Sequence, residues 1–157
     1  MPVSNRGDAR AEIYERFQTA WLADVLSDGV PVLYEGKKAS VPTDAETGEP
    51  VDAPTWARVS LRHNPDQTGG TQASAGGDAN GTRVYDREGV VSVQIFTTPG
   101  KGLRLADNLG SIAQKAFQGK TTPGGIWFRH VRIVEVGASG GWYQTNVLAE
   151  FVYQEVT

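Results

Sequence analysis

The chemistry-bearing residues of this chain are few, and their spacing decides what each could do. Thr98-Pro99-Gly100-Lys101-Gly102 falls between an apolar run and a helical one, where phosphate-cradling loops occur. A Walker loop needs a glycine four residues ahead of its Gly-Lys pair and a hydroxyl residue after the lysine. Here Ile95 and Phe96 occupy the first region and Gly102 follows Lys101, so the plainer reading is a helix-initiating turn. Glu35-Gly36-Lys37 and Pro65-Asp66 resemble the halves of a nuclease carboxylate–lysine motif, but in reversed order. Fragments this short occur by chance and read as exposed loop charge. The two histidines, His63 and His130, fall on strands, with Asp66 or Glu135 as the nearest candidate co-ligands, and nothing supplies metal-ligand spacing. Ser60, Ser74, Ser92 and Ser111 lie outside any Gly-x-Ser-x-Gly elbow. Glu135 and Glu150 could face each other across a hairpin, but an acid–base pair needs a cleft, and strand-surface charge is the simpler account. Arg6-Gly7-Asp8 stands at a helix start and carries no weight as an adhesion tripeptide. No catalytic residue, cofactor site or metal site is assigned, and the expectation is a protein that is not an enzyme.

Composition sets wider bounds. The 157 residues suit one domain, 1–157, with 39% hydrophobic and 21% charged residues. There is no cysteine, hence no disulfide framework or thiolate chemistry. The net charge of −3 does not suggest nucleic-acid binding. No apolar run approaches the ~20 residues of a membrane span, and the polar first eight residues lack a signal-peptide core. The expectation is a soluble cytosolic protein.

The elements follow from periodicity. A helix is expected over 8–26, capped by Ser4, Asn5 or Asp8, with Ile13, Phe17, Ala20, Trp21 and Val25 as its apolar stripe. Residues 30–34 read as a short strand entered through Pro31, hence at a sheet edge. In 55–63, Ala57, Val59 and Leu61 point one way, and Trp56, Arg58, Ser60 and Arg62 the other. Residues 83–85 start a strand, Asp86-Arg87-Glu88-Gly89 read as a hairpin turn, and 90–97 return antiparallel with Val91, Val93 and Ile95 inward. A second helix over 103–117 carries Leu105, Leu109, Ile112, Ala113 and Ala116 on one side and stops at Gly119. In 126–136 the phase of Ile126 and Phe128 conflicts with that of Val131 and Ile133, which predicts a β-bulge near His130. Residues 137–141 turn the chain into a last strand, 142–155, with Tyr143, Thr145, Val147, Ala149, Phe151 and Tyr153 on one face. The order α-β-β-β-β-α-β-β predicts an α+β fold: a largely antiparallel, mixed sheet with two helices packed on one face.

Two long loops, 36–54 and 64–82, interrupt this pattern. The second, with Asp66, Gly69, Gly70, Gly76, Gly77 and Asp78, has almost no large apolar side chain with which to order itself. Trp56, Phe96, Trp127 and Trp142 are surplus to the core face. They are expected either to form a protein–protein surface, together with the Gly-rich loop, or to make a second small core under the loops.

Seven segments taken in order carry a family resemblance: Phe17-Gln18-Thr19-Ala20-Trp21, Trp56-Ala57-Arg58-Val59-Ser60, Val93-Gln94-Ile95-Phe96-Thr97-Thr98-Pro99-Gly100-Lys101-Gly102, Ala116-Phe117-Gln118-Gly119-Lys120, Gly125-Ile126-Trp127-Phe128-Arg129, Gly140-Gly141-Trp142-Tyr143-Gln144-Thr145-Asn146-Val147 and Phe151-Val152-Tyr153. Over nearly its full length the chain resembles the tail terminator-like (tail completion) proteins of long-tailed bacteriophages, including the lambda-type terminators. The resemblance implies an α+β fold and a virion structural protein of the head–tail junction, made in the host cytoplasm. It implies a homo-oligomeric, hexameric ring that caps the tail tube protein, ends its polymerisation and joins a head-closure or connector protein. DNA would pass through the channel without specific binding, and no membrane is involved. Other readings that stay open are another neck or tail-tube protein, or a small metal-dependent phage hydrolase or nuclease using His63, His130 and a carboxylate.

Overall fold

The computed structural model describes residues 5–36, 55–65, 72–73, 84–98, 103–139 and 141–156. The order is α1 (Arg6–Ala23), β1 (Val32–Tyr34), β2 (Trp56–His63), β3 (Gln72–Ala73), β4 (Val84–Thr97), α2 (Arg104–Phe117), β5 (Trp127–Ser139) and β6 (Trp142–Val156). The fold is α+β, as the periodicity predicts. The sheet runs β1-β2-β4-β6-β5, with the two residues of β3 paired to the start of β4. All pairings are antiparallel except β1 with β2, so the sheet is mixed at one edge.

Register builds the core in rows. Val59 opposes Val93, which opposes Val147, which opposes Ile133. Leu61, Val91 and Ala149 form the next row. Because side chains alternate along each strand, these rows share one face, and both helices cover it. Within α1, Ala9, Ile13, Phe17 and Trp21 recur at helical spacing and are buried. Phe17 stacks on Trp21 (centroids 5.1 Å) and on Phe117 of α2 (5.9 Å), and Phe117 meets Phe128 of β5 at 5.0 Å. Arg16 Nε donates to the Ala116 carbonyl at 3.1 Å, placing a cation on the open carbonyl end of α2.

The helix ends are local chemistry. Asn5 caps α1, its side-chain oxygen accepting from the Asp8 amide at 2.9 Å. Gly119, at φ 70°, follows the α2 C-cap in the left-handed region, as its glycine predicts. The expected bulge is present: pairing to β6 slips between Arg129 and Arg132, and His130 sits at φ 50°. That conformation is strained for a residue with a Cβ, though histidine tolerates it better than most.

Four expectations need correction. Asp86-Arg87-Glu88-Gly89 form no hairpin turn; they run straight through the middle of β4, with Asp86 opposite Gln154 and Arg87 opposite Tyr153. Arg87 Nε donates to Glu155 at 2.9 Å, so cross-strand pairing overrides the local turn signal. Val25 is not part of the α1 stripe, because the helix stops at Ala23 and Val25 is 96% exposed. The stretch 64–82 contains the strand β3. The turn expected over 137–141 is tighter, since Ser139 already pairs with Trp142.

Candidate functional site

The sheet face opposite the helices carries side chains in cross-strand rows. One row is Arg58, Gln94, Asn146 and Val134; the next is Ser60, Ser92, Leu148 and Arg132; the next is Arg62, Val90, Glu150 and Arg129. Pairing within the sheet partly offsets its charge. Arg62 meets Glu35 at 2.6 Å, Arg129 meets Glu88 at 3.1 Å, and Arg132 and His130 lie 3.9 and 4.0 Å from Glu150. The carboxylate of Glu35 holds the exposed Arg62 guanidinium above its usual range. At the β1 end, burial pushes the Tyr34 phenol up to about 12 and raises that of Tyr14.

At one end of this face, the aromatic residues singled out in the sequence split into two groups. Trp56 and Phe96 oppose each other on β2 and β4 and stack at 4.3 Å with planes 15° apart. Trp142 meets Trp56 edge-on at 6.3 Å. The Arg58 guanidinium lies 5.8 Å over the Phe96 ring while its Nε donates to Gln94 at 2.6 Å. Trp56 and Phe96 are therefore buried against each other, 7% and 8% exposed, in a small aromatic cluster outside the main core. The indole Nε1 of Trp56 is buried with no acceptor among the described residues. An unpaired buried donor costs about 1–3 kcal/mol. Trp56→Phe removes that donor and keeps the stack, so its free energy of unfolding in urea is expected to stay within about 1 kcal/mol of the parent.

Trp127 stands apart. It pairs with Val152, ten positions along β6 from Trp142, and is 43% exposed under the Arg129 guanidinium at 5.8 Å. Asp66, Gly69, Gly70, Gly76, Gly77 and Asp78 lie outside the described residues.

The catalytic and metal candidates do not converge. His63 on β2 and His130 on β5 are separated by β4 and β6, about 14 Å across the sheet. His63 Nε2 bonds the Tyr153 hydroxyl at 2.8 Å. Glu135 opposes Thr145 on the helix side and Glu150 opposes Arg129 on the other face, so the two carboxylates do not meet. Among the described residues no group of three or more histidines or carboxylates could hold a metal ion, and no helix is long and apolar enough to cross a membrane. Pro99, Gly100, Lys101 and Gly102 lie outside the described residues, as do Lys37 and the rest of 38–54.

The sequence reading missed two exposed apolar sets. One is Leu22, Val25 and Leu26 at the end of α1. The other is Ile133, Val134 and Val136 on β5, the terminal strand of the sheet among the described residues. Adjacent apolar residues such as Ile133 and Val134 must point to opposite faces of a strand, and that was the available signal for the second set.

No family model matches this sequence, and no curated protein matches it. A solved chain known by a serial designation is similar over 92% of this chain and 92% of its own, with a TM-score of 0.59 and 17% identity. At that identity the likeness speaks for the fold alone.

Proposed function

We propose that this chain is a virion structural protein of a long-tailed bacteriophage, a tail terminator. Its subunits form a ring that caps the tail tube, ends its polymerisation and joins the tail to the head connector. The observation that carries this reading is the β5 edge. Ile133, Val134 and Val136 are exposed on β5, the terminal strand of the sheet among the described residues, and Trp127 is exposed at its start, where Thr121 bridges to it. Exposed apolar side chains on a terminal strand favour burial against another protein. The family resemblance in the sequence supplies the kind of assembly, and the α+β fold is the one that resemblance implies.

The role is architectural rather than catalytic. A channel that lets DNA pass should not grip phosphate, and a net charge of −3 suits that task. The test is electron microscopy of the purified protein with and without tail tubes. Rings of one diameter, seated on tube ends and halting tube growth, are the expected result. Self-assembly into long tubes would instead make it a tube protein, and tubes that stay uncapped would sink the proposal.

A further inference from the structure

We propose that the solvent-facing groove between α1 and α2 is a docking site for an acidic amphipathic helix of a partner protein. The site does not depend on the ring reading and is tested apart from it. The two helices run antiparallel. As α1 advances, its neighbours on the α2 side run backwards: the Thr122 hydroxyl donates to Glu12 at 3.2 Å, and the Ala116 carbonyl accepts from Arg16. Further on, Ala23 and Asp24 line the groove with Asn108 and Ser111.

The groove has a volume of about 530 Å³. Ala20 and Ile112 are half-buried on the main core and form its floor. Ala23 and Ser111 are exposed along its rims, and Leu26, 40% exposed, adds apolar surface at one end. Small side chains on both rims let a third backbone come close. Two packed helices also present a seam into which the side-chain ridge of another helix can seat.

The charge of the groove selects the partner. The whole chain is acidic, with 18 carboxylates against 15 lysines and arginines. The groove reverses that balance: it is lined by Arg16, Lys115 and Lys120 against Asp24 alone. The Asp24 carboxylate is already engaged by the Leu26 amide at 2.9 Å. On the sheet, Arg62, Arg129 and Arg132 each lie against a carboxylate. Lys115 and Lys120 have no such partner among the described residues, and Arg16 gives its Nε to a carbonyl. A helix with an apolar stripe flanked by carboxylates satisfies both features, burying Ala20, Ile112 and Leu26 while it meets the cations. A nucleic acid would meet the cations and leave the apolar floor without a partner.

The test is fluorescence anisotropy on the full chain with a labelled synthetic helix of about four turns, bearing leucine on one face and glutamate beside it. Saturable binding is expected, with amide NMR shifts at Ala20, Ala23, Ser111 and Ile112. Lys115→Gln combined with Lys120→Gln should weaken binding about fivefold. A scrambled peptide of the same composition, lacking the apolar face, should bind about tenfold more weakly. Ala23→Lys separates the groove from charge alone, since it adds a cation but obstructs the rim, and it should weaken binding. All three positions are exposed, and circular dichroism checks that each variant is folded. No saturable binding, equal binding of the scrambled peptide, tighter binding by Ala23→Lys or shifts confined to other elements overturns the proposal. Duplex DNA that moves the same amides more strongly than the peptide overturns it in favour of a nucleic-acid partner.

Discussion

Replacing Gly89 with alanine is expected to lower the thermal midpoint by about 10 °C at fixed protein concentration, the consequence of about 3 kcal/mol of lost stability. Gly89 sits in the middle of β4, opposite His63 on one side and Phe151 on the other. A Cβ there would overlap the Arg62 carbonyl oxygen and lie 2.5 Å from Phe151 Cζ and 2.9 Å from the His63 Cα. Two of those three neighbours are backbone atoms of β2, which cannot swing aside as a side-chain tip can. The strand itself must move, and the bond from the Asn64 amide to the Glu88 carbonyl, 2.8 Å, lies next to the overlap. Faster amide exchange at Asn64 in Gly89→Ala would locate the damage there. An unchanged midpoint would show that β2 and β4 are not this close.

Phe17→Ala is expected to cost about 4 kcal/mol, lowering the midpoint by about 12 °C. Phe17 is fully buried and touches rings from three elements: Trp21 in its own helix, Phe117 in α2 and Tyr34 in β1, the last at 6.5 Å. Truncation opens a cavity where both helices meet the sheet, and rings packed on several sides cannot collapse into it. Differential scanning calorimetry checks the size of the effect. A loss below about 1 kcal/mol would mean that the two helices are not packed through this ring. The substitution also loosens Trp21, whose carbonyl accepts from the Ser27 hydroxyl, so the segment after α1 that carries Val25 should lose its fixed shape with it.

Much of this fold is legible in the chain because local rules and tertiary packing agree. The alternation of Ala57, Val59 and Leu61 survives as the core face of β2, and that of Thr145 through Tyr153 as the core face of β6. The phase break at His130 is a bulge, since period-two alternation cannot slip without an extra residue. Asn5 and Gly119 mark helix ends, because a side-chain cap and a left-handed residue act within a few positions.

The tertiary structure decided what depends on residues far apart in sequence. Asp86-Arg87-Glu88-Gly89 have the composition of a turn, and only pairing with β6 about 65 residues later makes them strand. Gly89 is required there for the room between β2 and Phe151, not for turning the chain. Alternation placed Trp56 and Phe96 away from the core face but could not say that they cover each other, because their contact is set by the register of β2 on β4. Helical spacing carried Val25 into the core; hydrogen bonds from Ser27, Leu26 and Asp28 end the helix earlier and turn it outward. The sequence by itself determined which face of each element turns to the main core, since that follows from periods of 2 and 3.6. Which apolar residues remain uncovered was left to the packing of the whole chain, because exposure is set by the neighbours that the fold brings or fails to bring.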